Sequence, residues 1–128
     1  MPAIESILMK KVLFVCMGNV CRSPMAQVVA QNMAEGTGRT RKLSFDSAGT
    51  HASHVGERMD PRAESELKKR GYKIGHMRSR KISSQDFEKF DLILAMDASN
   101  LAELRRMCPP EHLKKLRLLM EFASDETP

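Results

Sequence analysis

The stretch VLFVCMGNVCRSPMAQ, residues 12–27, decides the fold. It opens on Val12–Val15, a short unbroken apolar run suited to a strand buried on both faces. Cys16 follows where that strand would end. Gly18 permits backbone conformations closed to other residues, and Asn19 tolerates the left-handed conformation of a tight turn. Ser23-Pro24 reads as the N-cap and first residue of a helix, since the hydroxyl can accept a free backbone N–H and proline has none to offer. Met25, Val28, Val29 and Met33 recur at helical spacing, and Gly36 and Gly38 end the helix. A strand that coils tightly into a helix N-terminus turns successive N–H groups toward one point, the arrangement that holds an oxyanion.

A lone cysteine is usually a small buried hydrophobe. Here the converging N–H dipoles and Arg22 favour the thiolate of Cys16 over its neutral thiol. Such a thiolate, held under a phosphate bound by Met17, Gly18, Asn19, Val20, Cys21 and Arg22, is placed to attack phosphorus. The Arg22 guanidinium can grip two oxygens in a bidentate fork that a lysine could not form. The chemistry is nucleophilic catalysis, in which a phosphocysteine forms and water releases phosphate. The nucleotide-binding pattern Gly-x4-Gly-Lys-Ser/Thr is absent.

Downstream, strands and helices alternate. Leu43–Ala48 can form a second strand, and Asp60-Pro61 repeats the cap-plus-proline signal of a helix that Gly71 follows. Ser83–Phe87 carries a Ser-x-x-Asp capping pattern. Asp91–Asp97 reads as a buried strand, and Leu101, Leu104 and Met107 as a helix stopped by Cys108-Pro109-Pro110. Leu116–Met120 is the expected fourth strand. This alternation predicts an α/β fold, a single four-stranded parallel sheet flanked by helices. Ligands in such sheets collect at the carboxyl ends of strands, where Cys16 and Asp97 both fall.

The chain has 128 residues, room for one core, with 41% hydrophobic and 29% charged residues and a net charge of +5. Basic clusters at Arg39, Arg41 and Lys42, at Lys68–Arg70, at Arg78, Arg80 and Lys81, and at Lys114, Lys115 and Arg117 favour anionic partners. With one Tyr and no Trp, the aromatic interleaving of a nucleic-acid surface is missing. No apolar run approaches the ~18–20 residues of a membrane span. No secretory signal is evident, and three cysteines form no disulfide framework, so a cytoplasmic setting is expected.

The chain resembles the low-molecular-weight protein tyrosine phosphatases. The likeness rests on residues 12–27, on DSAGT at 46–50, on DPRA at 60–63 and on DLILAMD at 91–97. It implies residues 1–10 as an N-terminal extension and 11–128 as a phosphatase domain, C-terminally incomplete. It implies Cys16 as nucleophile, Arg22 as phosphate clamp and Ser23 as stabiliser of the leaving thiolate. Asn19, Ser23, Ser47 and His76 would form a hydrogen-bond network holding the loop. Cys21 would be a resolving thiol for reversible oxidation of Cys16, and no cofactor is implied. The substrates would be tyrosine-phosphorylated proteins, with phosphate or other oxyanions as ligands.

The likeness has gaps. The family's general acid lies in an Asp-Pro-aromatic motif near its C-terminus, and this sequence ends at SDETP, residues 124–128. Asp125 is the substitute candidate, without the proline and aromatic. The expectation is a truncated chain with impaired turnover and self-association through surface that a last helix would cover. Ser53 stands where a tryptophan is often found, with Met17 as an apolar wall. Val20 stands where phosphoarginine-specific members carry threonine, which favours the tyrosine type. Rival readings are an arsenate reductase of the same fold, an inactive anion-binding module, and a zinc site using Cys16, Cys21, Cys108 and histidines.

Overall fold

A computed structural model describes residues 10–37, 43–51 and 53–122. Four parallel strands, β1 (Lys10–Cys16), β2 (Leu43–Gly49), β3 (Leu92–Ala95) and β4 (Leu116–Leu118), form one sheet in the order β2-β1-β3-β4. Four helices connect them: α1 (Arg22–Gly36), α2 (Pro61–Lys69), α3 (Ser84–Lys89) and α4 (Ala98–Met107). The expected α/β sheet is therefore present. Strand alternation divides the core. Leu13, Val15, Ala48, Ile93 and Ala95 face Phe87, Phe90, Leu101 and Leu104 from α3, its C-terminal end and α4. Val12, Phe14 and Leu94 face the other way, joined by Ala26 and Ala30 of α1. Phe14 and Phe45 stack there with ring centroids 6.1 Å apart.

The capping signals act where the sequence places them, with one exception. Asp60 accepts from the N–H groups of Arg62 and Ala63 at the start of α2. Ser83 donates its N–H to the Asp86 carboxylate at 2.8 Å, and Asp97 accepts from the Asn100 N–H at 2.8 Å. Ser23 is the exception. The helix begins at Arg22 after Cys21, and the Ser23 hydroxyl is turned to the site instead of capping. The fourth strand also stops short of its expected end, at Leu118, and a 3-10 turn covers Leu119–Phe122. The Glu121 carboxylate causes the curl by accepting from the Leu118 N–H at 2.7 Å while pairing with Arg117.

Candidate active site

β1 ends at Cys16, and the next five residues coil back into α1. The peptide carbonyls of this loop are tied outward. Cys16 O accepts from Thr50 N at 2.9 Å, Met17 O from His51 N at 3.0 Å, and Val20 O from Asp60 N at 2.7 Å. Asn19 O accepts from the Ser79 hydroxyl. In a trans peptide the carbonyl of one residue and the N–H of the next point in opposite directions. Outward carbonyls at 16, 17, 19 and 20 thus turn the N–H groups of Met17, Gly18, Val20 and Cys21 inward. Those N–H groups find no protein acceptor among the described residues. The nest expected from spacing is built by neighbours holding its reverse side.

Asn19 is the pivot. It is the one non-glycine residue with a left-handed backbone among the described residues, φ 58°. Its side chain spans two elements: Nδ2 donates to Ser23 Oγ at 2.9 Å, and Oδ1 accepts from Arg80 N at 2.9 Å. Gly18 is not left-handed. Its small size matters because a Cβ there would lie 2.8 Å from His54 Cδ2. Gly49, which spacing alone did not single out, is more tightly required. A Cβ on it would stand 2.7 Å from the Met17 carbonyl oxygen and 3.2 Å from Asn19 N, both backbone atoms. Its only signal in the sequence is its place in DSAGT.

Cys16 is buried at the base of this loop. Its Sγ lies 3.0 Å from Ser23 Oγ and accepts from Asn19 N at 3.3 Å. Both groups stabilise negative charge on sulfur when they donate. Arg22 sits half-exposed at the rim. Its NH1 donates to Asp97 Oδ2 at 2.6 Å, leaving Nε and NH2 without a protein partner among the described residues. The Asp97 bond raises the guanidinium above its usual range, with Cys16 adding a smaller attraction, and Arg22 in turn holds the Asp97 carboxyl below its own. Asp97 therefore works at both ends of its position: one oxygen caps α4, the other aims the guanidinium.

Two supporting residues are elsewhere than the resemblance implied. Ser47 is buried, but its hydroxyl donates to Gln27 Oε1 at 2.6 Å and does not reach the loop. His76 is exposed and has no hydrogen-bond partner among the described residues. The two line one cleft of about 240 Å³ with Asp46 and Arg78. Ser79 and the Arg80 backbone hold the loop, and the sequence around them carries no pattern that would show it. Cys21 is exposed with a free thiol. Cys108 is buried in the core cluster that lies against α4, poorly placed as a relay thiol. No three metal-capable side chains converge among the described residues. Asp125 lies outside the described residues, as do Arg39, Arg41 and Lys42. No described helix is long and apolar enough to cross a membrane.

A family model described as low molecular weight phosphotyrosine protein phosphatase matches residues 11–127. A relative of that description from Schizosaccharomyces pombe is 48% identical over 115 residues, covering 89% of this chain and 73% of its own. The crystal structure of a protein tyrosine phosphatase from Entamoeba histolytica, with Hepes in its active site, superposes with a TM-score of 0.88 at 39% identity, over 93% of this chain and 76% of that one. The structure of a Drosophila arginine phosphatase superposes with a TM-score of 0.80 at 41% identity, over 87% and 71%.

Proposed function

The chain belongs to the low molecular weight phosphotyrosine protein phosphatase family and is a phosphoric monoester hydrolase, and from that premise we propose that it dephosphorylates phosphotyrosine through a phosphocysteine on Cys16. The observation that carries this reading is the outward tethering of the loop carbonyls, which aims four N–H groups inward above a sulfur that already accepts from Asn19. The substrate phosphoryl group binds those amides and the Nε and NH2 of Arg22. The Sγ thiolate attacks phosphorus, an S–P bond forms, and the P–O bond to the aryl oxygen breaks. The aryl oxide departs and takes up a proton. Water then attacks phosphorus, the S–P bond breaks, and the thiolate returns beside the Ser23 hydroxyl. Cys21 serves as the thiol that condenses with Cys16 after a peroxide has oxidised it to the sulfenic acid, with loss of water.

The phosphoarginine activity named for the Drosophila neighbour is the second reading. Val20 favours the tyrosine type, and direct competition between a phosphotyrosine and a phosphoarginine peptide ranks the two. The central test is rapid acid quench of the enzyme with para-nitrophenyl phosphate. Wild-type protein should gain the mass of one phosphoryl group on the peptide holding Cys16, and C16S should gain none. Undiminished nitrophenolate release by C16S would sink the mechanism.

A further inference from the structure

β2 is an edge strand, and its free edge is covered at one end only. Gly49 N donates to Arg80 O and Gly49 O accepts from Ile82 N, so the backbone groups of odd-numbered residues point outward from the sheet. Down the strand that outward row is Ser47, Phe45 and Leu43. Asp46 Oδ1 satisfies Ser47 N at 2.8 Å, and Gln27 Nε2 reaches Phe45 O at a long 3.4 Å. The Phe45 N–H and the Ser47 carbonyl meet no protein partner among the described residues. The chain from Lys73 to Arg78 runs beside this edge in step with it. Lys73–Gly75 face Leu43–Phe45 across a cavity of about 550 Å³, and His76–Arg78 face Asp46 and Ser47 across one of about 240 Å³. The two segments meet at Gly49 and Lys81. The N–H groups of residues 74–78 also find no protein acceptor among the described residues. Both walls are fixed. β1 holds β2, while Asn32 bonds the Lys73 N–H and carbonyl at 2.9 and 3.0 Å and Asn19 holds Arg80 N.

A slot with unpaired backbone groups on each wall suits strand addition, where main-chain bonds supply affinity and alternate side chains supply specificity. The charges select the occupant. Lys73 and Arg78 are exposed on the outer wall and have no carboxylate partner among the described residues. Opposite them, Asp46 is already paired with Arg80, which leaves the Glu35 carboxylate at the end of α1 as the opposing charge. The wide end is apolar beneath, with Ala34 buried and Leu43 and Ile74 half-buried. We propose that the slot between β2 and Lys73–Arg78 docks an extended peptide of a partner protein, one that alternates acidic and apolar residues. No residue of the phosphate loop lines the slot, so the proposal adds a partner to the phosphatase reading without resting on it.

The probe is a blocked hexapeptide of three Glu-Val repeats, titrated into the nitrogen-15-labelled full chain and followed by amide resonances. The N–H groups of Phe45 and of residues 74–78 should shift saturably. The same peptide N-methylated at each valine lacks the donors of one edge and should bind roughly ten-fold more weakly. Reversing the outer-wall charges in K73E/R78E should weaken the acidic peptide roughly ten-fold and favour a Lys-Val repeat in its place. Absence of a saturable shift at millimolar peptide, shifts at other amides, or equal binding of the N-methylated peptide would overturn the assignment. So would movement of the slot amides with protein concentration alone, which would give the slot to a second copy of the chain. Inorganic phosphate should shift the amides of Met17, Gly18, Val20 and Cys21 and leave the slot unmoved. Its failure to shift them would count against the phosphatase reading, a separate result.

Discussion

Gly49 is required by contact and not by backbone angle. Its Cα faces the Met17–Asn19 backbone so closely that any side chain must displace the loop. G49A should therefore lower stability by about 1–3 kcal/mol, the cost of overpacking, and weaken phosphate binding in parallel. G75A is the control, because a Cβ there meets nothing within 4 Å. Thermal unfolding of the two variants separates the cases, and equal melting temperatures would refute the contact argument. Ser23 makes a different contribution. Its hydroxyl, 3.0 Å from Sγ and fixed by Asn19 Nδ2, can donate to the thiolate as it leaves phosphorus. Removing a hydrogen bond to a charged group costs about 1.5–3 kcal/mol, so S23A should slow phosphoenzyme breakdown roughly 10- to 100-fold. The signature is a larger burst followed by a slower steady state, and an unchanged steady state would remove Ser23 from the second step.

Among the elements, the strap at Ser79–Ile82 joins the loop to the rest of the fold. Arg80 O accepts from Gly49 N, Ile82 N donates to Gly49 O, and Arg80 N holds Asn19 Oδ1. The Arg80 side chain fixes this backbone by bridging Asp46 on β2 and Asp86 on α3. Burial raises the Asp86 carboxyl, but bonds from Arg80 and Ser83 outweigh it, and the net displacement is below the ordinary carboxylate range. A carboxylate depressed in the folded state contributes stability above its unfolded pKa of about 3.9 and loses it as pH falls through the folded value. Wild-type melting temperature should therefore drop from about pH 5 toward pH 2. D86N should start lower and fall less steeply, and parallel curves would place the acid sensitivity elsewhere.

For the whole molecule, the two sheet faces differ. α3 and α4 cover one face, whereas on the other only α1, lying on β1 and β2, joins the cluster of Val12, Phe14 and Leu94 among the described residues. Leu92, Met96 and Leu119 are part-exposed there, and Met120 and Phe122 near the end of β4 are exposed. Parallel sheets are stable when both faces are covered. The 128-residue chain should self-associate as its concentration rises, read by light scattering, and a monodisperse monomer at high concentration would contradict this. The 128 residues also contain no Asp-Pro-aromatic triplet to protonate a leaving aryl oxide. Appending Asp-Pro-Tyr-Tyr and a helix should raise aryl phosphate turnover by the ~10²–10⁴-fold that general acid catalysis contributes and should also reduce association. No gain in rate would show that the acid is supplied within residues 1–128.

The sequence by itself determined the parallel sheet, the helix caps at Asp60 and Ser83, and the Cys16-to-Arg22 loop between strand and helix. Each of these depends on contacts a few residues apart, or on an apolar run long enough to mark a buried strand. What holds the loop was decided only by tertiary structure. Gly49, the Ser79-Arg80 pair and Asp97 come from three separate segments, and their roles arise from distances of a few ångströms between groups remote in the chain. The same cause moved Ser23 from cap to thiolate partner and left Ser47 and His76 off the loop. A residue's type records which bonds it can make, and the packing of distant segments selects which of them form.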